Sequence, residues 1–350
     1  MKIAIDIRPL KSEHNVRGVG FYLVRLKEGL LKQFPKETFI FFNKTTEIKK
    51  DVDLIHYPYF DPFFLTLPFD NRKKTVVTVH DLIPLLFPQN FPAGARGKFR
   101  WEIQKRLLKG TGAIITDSQS SKKDIVDLTH VSEEKVHVVY LAAAKEFRKI
   151  ENPVILTTIR KKYTLPDRFI LYVGDVTWNK NLPRLVKVAT KLRIPLVMVG
   201  KALIEKDFDR SNPWNQDRLT VEKLARGNPF IVRLGFLSLP DLVAIYNAAT
   251  VFVMPSLYEG FGLPALEAMQ CGAPVVVSKK GSLPEVVGKA GYYVNAEGED
   301  DIASGIQSLY NDRSLQQKLR GLSKEQAKLF SWEKTCRETM QVYEHAVNNG

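Results

Sequence analysis

Glu259 and Glu267 have seven residues between them in the stretch MPSLYEGFGLPALEAMQCGAPVVVS (Met254–Ser278), and those seven include Gly260, Gly262 and Pro264. An apolar run ends at Met254, a glycine turn follows, and Pro264 suits the first turn of a helix, where its missing N–H is not needed. Gly272 then ends the helix and the next strand starts at Pro274. Glycines let backbone N–H groups come close to a ligand. A helix N-terminus favours an anion by about 0.3–1 kcal/mol when exposed. A carboxylate beside it can accept two hydroxyl hydrogen bonds, as a ribose diol offers. One strand–turn–helix unit could therefore hold a diphosphate, a sugar and a ribose. A bare pair of glutamates is ordinarily a solvated surface feature. What sets this pair apart is Gly-Phe-Gly-Leu-Pro between them and Ala-Met-x-Cys-Gly-x-Pro-Val after them.

Such a turn has to sit at the end of a strand in a helix-covered sheet. The sequence offers two series of short runs, mostly apolar throughout. The first is Ile3–Ile7, Thr38–Phe42, Leu54–Tyr57, Thr75–Val79, Ala113–Thr116 and Lys135–Val139. The second is Phe169–Val173, Pro195–Val199, Phe230–Leu234, Thr250–Met254, Pro274–Ser278 and Gly291–Val294. Helix-length stretches separate them, the pattern of parallel strands buried on both faces. The expected class is α/β, with two doubly wound domains and ligands at the carboxyl ends of their strands, in the cleft between them. The break at Lys145–Asp167, with Pro153, Pro166 and several charges, reads as a linker. The expected domains are residues 1–163 and 164–334, with a last helix over about 335–350 packing back on the first.

The 350 residues are 44% apolar and 26% charged, which excludes collagen-like, coiled-coil and largely disordered chains. Cys271 and Cys336 form no Cys-x-x-Cys pair, so neither a zinc knuckle nor a disulfide framework is expected. MKIAIDIRPLK has no apolar signal core, and no run approaches the roughly 18 residues of a membrane span. A cytoplasmic protein is expected. Lys and Arg exceed Asp and Glu by 52 minus 38, or +14; residues 1–150 carry 26 minus 17 of this, or +9. Such a surface attracts nucleic acid, anionic lipid or phosphorylated small molecules.

The Glu-x7-Glu block and its neighbours resemble retaining glycosyltransferases of family 4 with the GT-B fold, two Rossmann-like domains, and especially the mannosyltransferase-like members. IAIDIRPL with RGVGFY (Arg17–Tyr22), LIHYPYF, TVHDLIPLLFP, ILYVGDVTWNKNLPRLV, RLGFLSLPDLVAIYNAA, EGFGLPALE, SLPEVVGKAGYYV and FSWEKTCRETMQVY occur in the family's order and cover essentially the whole chain.

The resemblance implies that Glu267 binds the ribose of a sugar nucleotide and that Glu259 lies near the donor sugar. It implies that the backbone of Gly260, Phe261, Gly262 and Leu263 cradles sugar hydroxyls and diphosphate. Lys180, in the NKN segment, would neutralise the diphosphate as the leaving group gains charge. Backbone near Phe236 and Leu237 would meet the base. His80, which in isolation would read as structural, gains a place beside the transferred sugar from its HDLIP setting. His56 keeps its core reading. Gly18 and Gly20 could approach the diphosphate or the acceptor, though a Gly-x-Gly alone is often a tight turn. Where many members carry arginine this chain has Asp175 and Asn179; Lys201, Arg184 and Arg233 are the candidate replacements. The triplets Asp51–Asp53 and Asp207–Asp209 lie away from the Glu-x7-Glu turn in this layout, so no metal and no other cofactor is expected.

The implied reaction moves a hexose, first mannose from GDP-mannose and otherwise a UDP-hexose, to a glycan or polyprenyl-linked acceptor in cell-surface polysaccharide synthesis. Anomeric configuration is kept and no enzyme nucleophile is required. Pro92–Lys109 sets Arg96, Lys98, Arg100, Lys105, Arg106 and Lys109 against Glu102 alone, with Phe99 and Trp101 among them. Read as a helix, it is either a contact with anionic lipid, making the protein peripheral on the inner membrane face, or a solvated helix with its aromatics turned inward. A basic nucleic-acid-binding protein is the alternative of another class, and no reader motif supports it.

Overall fold

The structure is a computed structural model that describes residues 1–11, 18–48, 51–69 and 74–349. All twelve expected runs form strands, each within one residue of its expected ends. The first sheet is built from β1 (Lys2–Asp6), β2 (Thr38–Phe42), β3 (Leu54–Tyr57), β4 (Thr75–Thr78), β5 (Ala113–Thr116) and β6 (Val136–Val138), all parallel, in the order β2-β1-β3-β4-β5-β6. Residues on both faces of β3, β4 and β5 are buried, so these runs could not alternate with polar residues. The helices are α1 (Gly18–Gln33), the short α2 (Ile83–Leu86), α3 (Gly94–Lys109) and α4 (Gln119–Thr129).

The second sheet holds β7 (Ile170–Val173), β8 (Leu196–Val199), β9 (Ile231–Leu234), β10 (Val251–Met254), β11 (Val275–Ser278) and β12 (Gly291–Val294), again all parallel, in the order β12-β11-β10-β7-β8-β9. Its helices run α5 (Pro153–Lys162), α6 (Leu182–Leu192), α7 (Gln216–Ala225), α8 (Leu239–Ala248), α9 (Leu263–Gln270), α10 (Leu283–Val287), α11 (Glu299–Asn311) and α12 (Arg313–Ala327). The amphipathic logic is plain in α6: Leu182, Leu185, Val186 and Ala189 are buried at helical spacing and join the core of this sheet.

The chain divides into two compact units, Met1–Ala142 with Phe330–Gly350, and Ala143–Leu329. This corrects the expected boundary at 163/164. The prolines and charges that suggest a linker belong to a packed segment of the second unit. Phe147 sets its ring edge-on to Tyr246 at 5.7 Å, Ile150 donates its N–H to Asn247 Oδ1 (2.8 Å), and Arg160 donates to the Ala248 carbonyl (3.1 Å). Asn152 caps α5, and Arg160, Lys161 and Lys162 form its basic last turn. The second boundary falls at 329/330 instead of 334/335. The last helix, α13 (Trp332–Asn349), belongs to the first unit and packs on α1. A Cβ at Gly29 of α1 would overlap Cys336 Sγ, so the glycine sets how closely the two helices approach. Tyr343 of α13 also bonds His56 Nδ1 at 2.7 Å.

Candidate functional site

In the second sheet the chain runs from β7 outward through β8 and β9, then returns beside β7 and runs the other way from β10. The carboxyl ends of β7 and β10 are thus the point where strand order reverses, the place at which open parallel sheets bind ligands. The loops leaving these two strands carry Lys180 and Glu259.

Hydrogen bonds stitch the loops together. Leu257 N–H donates to the Asn179 carbonyl (2.7 Å), Asn179 Nδ2 to the Tyr258 carbonyl (3.1 Å), and Asn181 Nδ2 to the carbonyls of Pro255 (2.9 Å) and Ala296 (2.7 Å). Asn181 adopts a left-handed φ of 60°, a conformation asparagine tolerates, and α6 begins directly after it. Lys180 lies between these two anchored asparagines. Its Nζ stands 2.8 Å from each oxygen of Glu259, whose side chain is only 5% exposed. Ser256 Oγ donates to Glu259 Oε1 (2.6 Å). Ser282 holds the Glu259 carbonyl with both its N–H and its Oγ (3.1 Å each). Gly281 has φ +59°, and a Cβ there would overlap that same carbonyl, so only glycine fits. An ammonium has three donors. Two reach Glu259, which leaves one for an anion.

Gly262, at φ 91°, turns the chain into α9. Glu267 lies in the second turn of that helix. It is buried, and Tyr246 of α8 donates to its Oε2 at 2.8 Å. Burial pushes its carboxyl up to about 8, against the opposing pull of the Tyr246 hydroxyl. Phe261 is buried, so its side chain serves the core. Phe236 and Leu237 follow β9, two strands from β7, with Phe236 largely exposed. A cavity of about 470 Å³ is lined by Val176 after β7, Leu203 and Phe208 after β8, Arg218 of α7 and Arg233 of β9, among others. Arg218 is buried in it, stacked 3.6 Å from the Phe208 ring centre and paired with Glu205 at 3.2 Å.

The candidate replacement cations separate clearly. Arg184 lies behind the Lys180 loop, donating to Asn181 Oδ1 (2.5 Å) and the Ala296 carbonyl (3.0 Å). Arg233 lines the cavity and reaches the Leu203 carbonyl (3.3 Å), while Lys201 is exposed beside Glu205 (3.8 Å). Asp175 turns its carboxylate onto its own loop, taking the Val176 N–H at 2.8 Å.

In the first unit His80 follows β4, and its Nδ1 lies 2.7 Å from Asp117 Oδ2 at the end of β5. The Tyr22 ring stands edge-on to the imidazole at 4.9 Å. Burial works against a charged His80, but Asp117, then Asp81 and the Pro58 carbonyl, outweigh it and raise its pKa. His56 is the reverse case. Its Nε2 meets Thr78 Oγ1 (2.8 Å) and its Nδ1 meets Tyr343 (2.7 Å), and burial, helped by His80, pushes it down to about 3. Gly18 opens α1 with empty space where a Cβ would go; Gly20 is buried; Arg17 lies outside the described residues.

Residues 155–326 match the family described as glycosyl transferases group 1, and residues 7–143 match Glycosyltransferase Family 4. The O-antigen chain mannosyltransferase B of Escherichia coli is 33% identical over 302 residues, covering 83% of this chain and 75% of the relative. The chain belongs to the family 4 glycosyltransferases. A serotype-specific mannosyltransferase WbdA of Escherichia coli is 30% identical over 286 residues, 79% of this chain; the match spans about a third of that longer relative (34%). Among solved structures, Anabaena HepE in complex with UDP and glucose superposes with a TM-score of 0.73 at 17% identity, covering 97% of this chain and 98% of that one. The architecture is therefore that of the GT-B glycosyltransferases.

Lys180 and Glu259 meet on the loops after β7 and β10, Gly260–Leu263 follow Glu259 directly, Glu267 lies on α9 just beyond, and Phe236 and Leu237 follow the edge strand β9. His80, Gly18 and Gly20 belong to the first unit. Sequence reasoning missed Ser256, Tyr246 and Asp117. Asp117 did leave a signal, an acid directly after the last residue of a buried parallel strand. Among the described residues no three His, Cys, Asp or Glu side chains gather as a metal site would need. Asp53 and Asp209 instead accept backbone N–H groups, from Lys2 (2.7 Å) and Ser211 (2.9 Å). Among the described residues no helix is long and apolar enough to cross a membrane.

Proposed function

We propose that this chain transfers a hexose from a nucleoside diphosphate sugar to a hydroxyl of a glycan or polyprenyl-linked acceptor, with retention at the anomeric carbon and without a metal. GDP-mannose is the first donor, on the strength of the mannosyltransferase relatives. A UDP-hexose is the second, favoured by the UDP and glucose in the HepE structure. The observation that carries the reading is the Lys180–Glu259 pair, made by the two loops at the strand-order reversal of the second sheet, with Glu267 on the helix that follows the Glu259 loop. Lys180 uses its third N–H on the diphosphate. Glu259 is held for the donor sugar by Lys180 and Ser256, and Glu267 takes the ribose diol. The bond from the anomeric carbon to the β-phosphate oxygen breaks, the acceptor oxygen attacks the same face, and the leaving phosphate takes the acceptor proton. A fixed cation at the developing phosphate charge lowers that barrier.

The acceptor's lipid calls for a surface near the membrane. Trp101 of α3 joins the core of the first unit, but Phe99 is 69% exposed among Arg96, Lys98 and Arg106. Arg100 bridges to the neighbouring loop, its guanidinium 5.6 Å from the ring of Phe64, which is also exposed. Basic residues beside anionic lipid contribute about 1 kcal/mol each. This face would hold the enzyme as a peripheral protein on the inner membrane surface.

The direct test is product analysis with GDP-mannose and UDP-hexoses over a panel of glycan acceptors, with NMR of the new linkage. Transfer with retention from one donor, lost in Glu267→Ala and Lys180→Ala, is expected. No nucleotide binding by any of the donors, or binding unchanged in both variants, would sink the site drawn here. Co-sedimentation with anionic but not zwitterionic vesicles, weakened by Phe99→Ser, is expected for the membrane face; equal sedimentation with both vesicle types would remove it.

A further inference from the structure

We propose that the first unit carries an oxyanion site of its own, in which Arg8, locked by Asp6, and the hydroxyl of Tyr57 together bind a phosphoryl or carboxylate group of a ligand. The site lies where the strand order of the first sheet reverses: the chain leaves β1 for β2 on one side and returns to β3 on the other. Open parallel sheets take ligands at that position. Asp6 ends β1, Arg8 follows two residues later, and Tyr57 ends β3, the strand paired with β1. All three residues belong to the first unit, so the site needs nothing from the second.

Asp6 is only 5% exposed, and Arg8 uses up its carboxylate. Oδ1 takes the Arg8 backbone N–H and Nε–H, both at 2.9 Å, while Oδ2 takes Nε–H again (2.9 Å) and one N–H of Nη2 (2.6 Å). A carboxylate has about four lone-pair sites, so Asp6 has none left for a ligand. A guanidinium carries five N–H groups, and five minus the two on Asp6 leaves three: both on Nη1 and the second on Nη2. None of the three has a partner among the described residues. The edge bearing Nη1 and Nη2 is the fork that holds a carboxylate or phosphate in two parallel hydrogen bonds. Arg8 keeps 46% of its side chain in solvent while Asp6 grips the Nε edge, so the fork is both fixed and reachable.

Tyr57 adds a hydroxyl. The residue is buried, with its ring edge-on to Phe42 at 6.1 Å. Its hydroxyl has no hydrogen-bond partner among the described residues, whereas Tyr59, two residues on, donates its own to Asp61 at 3.1 Å. Burial, with Asp6 adding and Arg8 opposing, pushes the Tyr57 phenol up to about 12, so it stays protonated and able to donate. A nearly buried polar group without a partner is rare in a folded chain. A sugar diol donates as well as accepts, and Asp6 has no free lone pair to receive it. An oxyanion asks for donors only, which the fork and the phenol supply. The second unit repeats the arrangement: Lys180, held by the nearly buried Glu259 at that sheet's own reversal, also keeps a donor free.

The test is a titration of the intact protein at constant ionic strength with inorganic phosphate, glucuronate and glucose. It is read by NMR at the Arg8 Nε–H signal, assigned with Arg8→Lys. A saturating shift with phosphate, with glucuronate or with both is expected, and glucose should cause none. Phosphate alone would name a phosphoryl ligand, and glucuronate alone a carboxylate. Tyr57→Phe removes only the hydroxyl, and it should weaken the binding about tenfold with the midpoint of thermal unfolding little changed. No saturating shift with either anion, an equal shift with glucose, or full affinity in Tyr57→Phe would overturn the proposal. The signal belongs to the first unit. Failure of the donor reading in the second, such as unchanged nucleotide binding in Lys180→Ala, would therefore be seen separately and leave this result standing.

Discussion

The first sheet buries a histidine, His56, and the second buries a glutamate, Glu267, each bonded to a tyrosine hydroxyl at 2.7–2.8 Å. Yet the two are not equivalent. His56 is 0% exposed with both ring nitrogens bonded, a closed arrangement tying β3, β4 and α13 together. Glu267 has one oxygen bonded and the other without a partner among the described residues, and it keeps 8% of its surface. A buried ionisable group whose polar atoms are all partnered is explained by the fold. One that is left partly open is not, and it is the better guide to where a ligand comes. Lys180 passes the same test, with an N–H to spare.

The strongest way to break this contrast is to remove the cation from the open site. Lys180→Ala strands the Glu259 carboxylate, 5% exposed, with Ser256 as its remaining side-chain donor. Breaking a buried ion pair by deleting one partner costs about 3–5 kcal/mol. Hydrogen exchange should quicken over residues 174–181 and 255–262 while the first sheet is unaffected, and nucleotide binding should be lost with it. A variant as stable as the wild type would mean the pair is hydrated and Glu259 is not held as described.

A smaller effect distinguishes the closed group from the open one by sign. His56 titrates near 3 when folded and about 6.5 when unfolded, so the unfolded chain binds more protons between those values. Its contribution is whole above about pH 6.5 and is lost as pH falls, by about 1.4 kcal/mol per unit. Glu267 is the opposite. Its carboxyl is raised from 4.5 to about 8, so its contribution is whole below about 4.5 and is lost as pH rises through 8. His80, also raised, is charged in both states well below pH 6.5 and leaves the acid slope to His56. Peptide-resolved hydrogen exchange should find the first unit loosening as pH falls below about 6.5 and the second loosening as pH rises from about 4.5 to 8, with no further change from Glu267 above that. Parallel loosening of both units would show that general charge repulsion outweighs these two residues.

Much of this arrangement could be read before the structure. Mostly apolar runs marked the strands, most clearly β3, β4, β5, β8, β10 and β11, because strands buried on both faces have no polar side to show. Glu259 and Glu267 were legible because the glycines and proline around them restrict the backbone. Other features were not legible, for reasons of distance or ambiguity. Asp117 meets His80 only because β4 and β5 are neighbours, and strand order is not written in a local stretch. The Tyr246–Glu267 bond depends on how α8 packs against α9. The basic last turn of α5 reads as a linker because a helix that buries only Ile159 and a charged connector have similar composition. In α3 the two aromatics two positions apart turned opposite ways, Trp101 to the core and Phe99 to solvent.

The finest test lies in the open site itself. At neutral pH the resting Glu267 carries a proton, since burial raises its carboxyl to about 8. A ribose diol donates two hydrogen bonds and is best met by the carboxylate form. Nucleotide binding should therefore expel a proton below pH 8. Affinity should rise by up to about tenfold per pH unit until that value is passed, then level off. Calorimetry in two buffers of different ionisation enthalpy measures the proton directly. Tyr246→Phe removes the one hydroxyl that favours the charged carboxylate, at a cost of about 1 kcal/mol. The carboxyl should then rise further, and the plateau in affinity should move to higher pH. If nucleotide binds without proton release and the plateau stays put, Glu267 is not the ribose acceptor, and its free oxygen is a feature of packing like those around His56.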